Sequence, residues 1–252
     1  MDHHPRNASD RTFNVTILPN AEAASAAVAD KILSRVRAKP AAVLGLATGQ
    51  TPRRVYAKLI DAVANGEISF AHATTFNLDE YCGLTCSHAD SFAAYMHREL
   101  FDKAGFDQHK INLIDGAAAD EKAEADRYAR LLVQHTVDLQ LLGIGTNGHI
   151  GFNEPGSSSM SRVRVVELSE ETQAANRPTL IELDQVPRHA ITMGIADILD
   201  AREIVILATG QAKAESVYRS LREAPDDTCP ASHLAGHGNV HWILDEAAAN
   251  LL

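Results

Sequence analysis

The feature that most limits the fold of this chain is a recurring unit: a short apolar run, a turn bearing glycine or acids, then an amphipathic helix. Apolar runs lie at residues 13–18, 42–47, 74–78, 112–114, 139–144, 190–194, 203–208 and 240–244. The run at 42–47 (AVLGLA) shows no polar alternation, as expected of a strand buried on both faces of a parallel sheet. Between the runs, helical stripes recur. Asn20 caps a helix whose Ala24, Val28, Ile32 and Val36 share one face, which Pro40 ends; Val55, Leu59 and Val63 form the next stripe. Thr51 and Pro52 are placed to cap and to open that second helix. Ser91 opens a helix carrying Phe92, Met96 and Leu100, and residues 117–135, 195–199 and 210–221 also read as helical. Such alternation predicts an α/β fold with a mostly parallel sheet and helices on both faces. No repeat or linker divides the 252 residues, so the expectation is a frayed tail over 1–10 and a single domain over 11–252. Residues 156–188, rich in serine and mixed charge with weak periodicity, suit a lid over a cleft.

Charge and cysteine usage narrow the function. A formal net charge of −10 argues against general nucleic-acid or membrane-surface binding, which needs a basic face. An anionic ligand would need positive groups gathered locally. The three cysteines, Cys82, Cys86 and Cys229, show no disulfide-framework spacing, which suggests a reducing compartment. The Cys82–Cys86 pair, spaced as a metal pair could be, has no second pair nearby and reads as two ordinary thiols. With no signal peptide and no bilayer-length apolar run, the expectation is a cytoplasmic protein.

Four turns carry chemistry. The run at 141–144 leads through Gly145-Thr146-Asn147-Gly148-His149-Ile150-Gly151-Phe152-Asn153-Glu154-Pro155, where glycines permit close backbone approach to a ligand. Histidine as a residue type can exchange a proton near neutral pH, which makes His149 a candidate, and Glu154 stands five residues on to orient it. Thr48-Gly49-Gln50-Thr51 joins a strand to a helix start, a ready anion site that lacks the Gly-Lys-Ser/Thr ending of a Walker loop. Asp79 and Glu80 follow the run at 74–78, the favoured place for catalysis in open α/β sheets. Thr209-Gly210-Gln211 is a second strand-to-helix turn, with Lys213 just inside. Each turn read alone also fits a plain connection.

Together these stretches resemble the glucosamine-6-phosphate deaminase (isomerase) family, related more distantly to 6-phosphogluconolactonases. The matching runs are 44–52 (LGLATGQTP), 76–84 (FNLDEYCGL), 91–101 (SFAAYMHRELF), 142–155 (LGIGTNGHIGFNEP), 190–194 (AITMG) with 199–201 (LDA), and 210–214 (GQAKA), in order from about 13 to 248. The FNEP ending separates the deaminase branch from the lactonases. The resemblance implies a three-layer Rossmann-like fold, no metal or cofactor, and conversion of glucosamine 6-phosphate and water to fructose 6-phosphate and ammonium.

Carried over by motif, Asp79 would be the base moving a proton from C2 to C1. His149 would open the sugar ring, with Glu154 orienting it, and Glu80 would shape the loop beside the base. Thr48, Gly49, Gln50 and Thr51 would bind phosphate with Lys213 and Arg177, the last match requiring a one-residue gap. Asn147 stands where many members carry an acid, leaving Glu154 as the motif's only nearby anion. Val166 and Glu167 occupy positions where activated members bind an effector phosphate, although Arg164 is kept. The implied partner is a small amino-sugar phosphate, with homo-oligomerisation left open. Competing expectations are a galactosamine 6-phosphate deaminase, a 6-phosphogluconolactonase and a non-catalytic sugar-phosphate sensor.

Overall fold

The computed structural model describes residues 14–252, apart from the side chains of Glu171, Ala175 and Thr179. The expected frayed tail and Phe13 lie outside the described residues. Seven strands form one parallel sheet: β1 (Asn14–Leu18), β2 (Val43–Leu46), β3 (Thr74–Asn77), β5 (Ile111–Asn112), β6 (Leu139–Leu142), β9 (Ile204–Ala208) and β10 (Val240–Asp245). Their order is β1-β10-β9-β6-β2-β3-β5, with parallel registers throughout. Every residue of β2, β6 and β9 is buried, so layers cover both faces, as their unbroken apolar runs require. Each large aliphatic side chain buried in this way contributes about 1.5–3 kcal/mol.

Helices follow the strands. α1 (Ala21–Ala38) is capped by Asn20, whose side chain accepts from the Ala23 amide, and it buries Ala24, Val28, Ile32 and Val36. α2 (Arg53–Ala64) begins without a side-chain cap: the Pro52 carbonyl accepts the first helical bond, from the Tyr56 amide, so the expected Thr51 cap does not form. α3 (Phe92–Met96) is capped by Ser91, runs through a π-helical turn (His97–Phe101) and continues as α4 (Asp102–Ala104) to Gly105. α5 (Glu121–Val133) starts later than its composition suggests, because Asp120 caps it by accepting from Ala123. α6 (Glu170–Asn176), α7 (Ile195–Leu199) and α8 (Ala214–Arg222) complete the set.

A second sheet departs from the expected architecture. β4 (Asp79–Tyr81), β7 (Arg164–Glu167) and β8 (His189–Thr192) form an antiparallel trio in the order β4-β8-β7. Asp79 and Glu80 therefore belong to a strand rather than a loop, and the run at 190–194 pairs outside the main sheet. Leu78 is the junction. Its amide donates to Leu46 of the large sheet, and its carbonyl accepts from Met193 beside the small one. The segment 156–188 contributes β7 and α6 and so has regular structure of its own. No helix among the described residues is long and apolar enough to cross a membrane.

This topology locates a site. From β2 the chain builds outward through β3 and β5, then crosses back to place β6, β9 and β10 on the other side. The reversal between β2 and β6 opens a crevice at the carboxyl ends of the strands, where open α/β sheets bind ligands.

Candidate active site

A cleft of about 690 Å³ lies at that crevice, and the turns after β2, β6 and β9 all reach it. Thr48, Gly49, Gln50 and Thr51 line it from the turn after β2. Two tyrosines fix that turn: the Tyr56 hydroxyl donates to the Ala47 carbonyl, and the Tyr95 hydroxyl donates to the Gly49 carbonyl at 2.5 Å. Lys213 enters from the turn after β9, where both Asp245 carboxylate oxygens accept from the Gly210 amide at 2.9 and 3.0 Å. Burial lowers the pKa of Lys213. Sequence reasoning did not single out Arg53 and Arg98, which also line the cleft. Glu99 joins them, accepting from Arg53 Nε at 3.3 Å and Arg98 Nε at 3.2 Å. A cluster of cations beside exposed backbone turns makes a local positive pocket in an acidic protein.

The adjacent acids of β4 point opposite ways, as successive strand residues must. Asp79 lines the cleft and is only 6% exposed. Burial, followed by the neighbouring Glu80 charge, pushes its carboxyl up to about 8. Glu80 is not among the lining residues. Its Oε1 accepts from the amides of Tyr81 and Phe92 at 2.9 Å, and its Oε2 accepts from Ala93 at 2.8 Å. It thus caps α3 and shapes the loop beside Asp79 rather than lining the cleft. Burial raises Glu80 to about 7 against the opposing pull of those amides.

The turn after β6 carries the imidazole. Gly145 makes room for it: a Cβ there would stand 2.3 Å from the His149 ring, so only glycine lets the ring fold back against the strand end. His149 Nδ1 lies 3.3 Å from Glu154 Oε1. Glu154 stands behind the cleft wall, gripped on both oxygens. Asn147 Nδ2 donates to Oε2 at 2.8 Å, and the Thr172 hydroxyl donates to Oε1 at 2.7 Å. Asn147 Oδ1 also accepts from the His149 amide at 3.1 Å. Asn147 therefore shapes the turn and holds the carboxylate but does not line the cleft.

Over the cleft, the segment 156–188 contributes Asn176, Pro178, Leu180 and Ile181 to its lining. The Asp90 carboxylate tethers it by accepting from the amides of Ile181, Glu182 and Leu183. Burial alone would raise Asp90, but these three donors outweigh it and leave its pKa lowered. Arg177 is exposed, is not among the lining residues, and donates to the Asp184 carbonyl. The kept Arg164 donates to Asn153 Oδ1 at 2.9 Å and to Ser157 Oγ at 3.2 Å.

Asp79, His149, Lys213 and the turn at 48–51 therefore meet in one cleft, with Glu154 and Asn147 supporting the imidazole from behind. Thr172 and Asp90 were missed because their partners are 18 and more than 90 residues away, and no local pattern marks them. Among the described residues, no group of three or more His, Cys, Asp and Glu side chains is placed to hold a metal ion.

Comparisons with known proteins identify the family. The family model for glucosamine-6-phosphate isomerases and 6-phosphogluconolactonase matches residues 19–242. The glucosamine-6-phosphate deaminase of Rhodopirellula baltica is 52% identical over 241 residues, covering 95% of this chain and 96% of that protein. The deaminase of Streptomyces coelicolor is 43% identical over 242 residues, covering 95% and 93%. Among solved structures, a monomeric glucosamine-6-phosphate deaminase superposes with a TM-score of 0.92 at 40% identity, covering 95% of this chain and all of that one. A 6-phosphogluconolactonase from Trypanosoma brucei, at 23% identity and a TM-score of 0.79, shares the fold. On its own sequence and its relatives alike, the chain belongs to the glucosamine-6-phosphate isomerase/6-phosphogluconolactonase family.

Proposed function

We propose that the chain is a glucosamine-6-phosphate deaminase, converting glucosamine 6-phosphate and water to fructose 6-phosphate and ammonium. The observation that carries the reading is the meeting of Asp79, the His149–Glu154 pair and the Lys213-bearing phosphate cradle at one cleft. The deaminases of Rhodopirellula baltica and Streptomyces coelicolor support the substrate assignment.

The steps follow from the groups present. His149 takes the proton of the C1 hydroxyl as the ring oxygen is protonated, which opens the ring, and Glu154 stabilises the charged imidazole. Asp79 removes the C2 proton of the open aldehyde as O1 takes up a proton, giving an enolamine. It then delivers that proton to C1 as the amine gives one up, leaving a hydroxyl at C1 and the imine at C2. Water adds to that carbon and ammonia leaves as ammonium, so C2 ends as the ketone. A base placed in this way contributes about 10²–10⁴-fold, and a carboxyl raised toward the working pH is more basic than an ordinary one. The phosphate lies remote from the bonds that change. Its contacts at 48–51 and Lys213 hold the carbon chain against Asp79. Arg53 and Arg98, joined through Glu99, add positive charge to the same cleft.

The segment 156–188 acts in this reading as the cover of the cleft, within one domain spanning 11–252. All assigned groups come from one chain, and the solved deaminase relative is monomeric, which supports action without a homo-oligomer. Three free thiols, one of them exposed, fit a reducing cytoplasm. No observation favours the galactosamine, lactonase or sensor readings over this one. Ammonium release measured with glucosamine 6-phosphate, galactosamine 6-phosphate and gluconolactone 6-phosphate tests the proposal. Turnover of the first substrate is expected. Lactone hydrolysis alone, or binding without ammonium release, overturns it.

A further inference from the structure

We propose that Thr172 is a positioning residue for ring opening, making the His149–Glu154 pair competent only while α6 is seated over the cleft. The inference rests on the deaminase reading for its kinetic meaning, but the geometry behind it stands apart from that reading. Glu154 Oε1 is the oxygen that faces His149 Nδ1 at 3.3 Å, and the same oxygen accepts from the Thr172 hydroxyl at 2.7 Å.

The direction of that bond is set by chemistry. An ionised carboxylate can only accept, so the threonine hydroxyl must donate to it. Thr172 Oγ1 in turn accepts from the Ser169 hydroxyl at 3.1 Å, which leaves the threonine proton free to point at Glu154. Ser169 also caps α6 by accepting from the Thr172 amide at 3.2 Å. A donor chain Ser169→Thr172→Glu154 thus runs from the start of α6 to the carboxylate behind the imidazole.

The other Glu154 oxygen is held by Asn147, which belongs to the same turn as His149. Of the two side chains gripping Glu154, only Thr172 comes from the covering segment. It is 4% exposed, so water does not readily replace its hydroxyl. Lifting α6 removes the donor from Oε1 and frees the carboxylate to turn about its remaining anchor, which alters the contact with Nδ1. The Thr172 hydroxyl thereby links α6 to the carboxylate of the proton-transfer pair. Asp90, from just before α3, holds the other end of the segment down through the amides of residues 181–183 and bonds to neither member of the pair.

The test compares Thr172→Val, which keeps the shape and deletes the hydroxyl, with Thr172→Ser, which keeps the hydroxyl. The valine variant is expected to lose kcat by about 10- to 100-fold, the scale of a misplaced reacting group, with KM for glucosamine 6-phosphate within about twofold of wild type. The serine variant is expected to recover most of kcat. A second readout needs no turnover: the proton and ¹⁵N resonances of the His149 ring, assigned through His149→Gln. With the carboxylate free to turn away from the imidazole, the Nδ1 proton is expected to move upfield in Thr172→Val and to return in Thr172→Ser. A valine variant with wild-type kcat, a serine variant as impaired as valine, or an unmoved His149 resonance overturns the proposal. If valine prevents folding, Thr172→Ala against Thr172→Ser makes the same comparison. A wild-type protein that releases no ammonium defeats the deaminase reading, and the His149 resonances then decide the role of Thr172 by themselves.

Discussion

Gly151 leaves room for Asp79: a Cβ built on Gly151 would stand 3.3 Å from Asp79 Oδ2 and 3.0 Å from Thr192 Oγ1. Gly151 has φ +57, in the left-handed region that glycine enters without a Cβ penalty. The turn carrying His149 therefore reaches the strand carrying Asp79 because one residue has no side chain.

Gly151→Ala is expected to lower kcat/KM by about 10- to 100-fold, because the added methyl pushes on the carboxylate that must face C1 and C2. The left-handed backbone adds a penalty of about 1–2 kcal/mol, or roughly 2–8 °C in Tm at about 2–4 °C per kcal/mol. Steady-state kinetics beside thermal melts checks both. Wild-type kcat/KM in the alanine variant would show that the carboxylate has room to move.

Asp79 links activity to stability with opposite signs. Catalysis needs its ionised form, so kcat/KM is expected to rise with pH toward about 8. Its folded-state pKa lies above the ordinary carboxylate value. The stability tied to its proton is therefore complete below the unfolded pKa and lost as pH rises through about 8. Asp79→Asn is expected to abolish ammonium release, keep sugar-phosphate binding, and melt above wild type by a margin that grows from pH 6 to pH 9. A constant margin across that range would remove the linkage, and residual turnover near wild type would remove the base.

Lys213→Ala is expected to raise KM for glucosamine 6-phosphate about 10- to 100-fold with a smaller change in kcat. The ammonium meets a phosphate remote from the reacting carbons and so acts on substrate and transition state alike. Inorganic phosphate should also inhibit the variant more weakly than wild type. An unchanged KM would move the phosphate toward Arg53 and Arg98.

The sequence made the large sheet legible where burial alone writes the pattern. β2, β6 and β9 are buried throughout and read as unbroken apolar runs. The caps at Asn20 and Ser91 were equally plain, since each is a local bond between a side chain and an amide three residues on. β4 and β7 were hidden. They are short, carry charged residues, and exist because β8 pairs with both. The site divides the same way. Asp79, His149 and the turn at 48–51 sit at strand ends that periodicity can find. Glu80 shares Asp79's chemistry but serves the start of α3, a difference only the strand's pleat decides. Arg177 and Thr172 both lie in the segment of weak periodicity, where pattern says nothing about which side chain turns inward.

The pairing of β4 with β8 sets Asp79 opposite Thr192, and Thr192 opposite Arg164 on β7. A slip of that pairing by a single residue would exchange the two faces of β4. Glu80 would then swing into the sugar cleft and Asp79 would be left against the amides of α3. Both positions would still hold a carboxylate of the same sign, so charge alone cannot enforce the alignment. Tyr81 can: its ring packs 4.7 Å from Phe92 and 5.5 Å from Phe152, and that stack exists in only one of the two alignments. Under the proposed reading, that aromatic contact favours the alignment in which Asp79, and not Glu80, faces the cleft as the base.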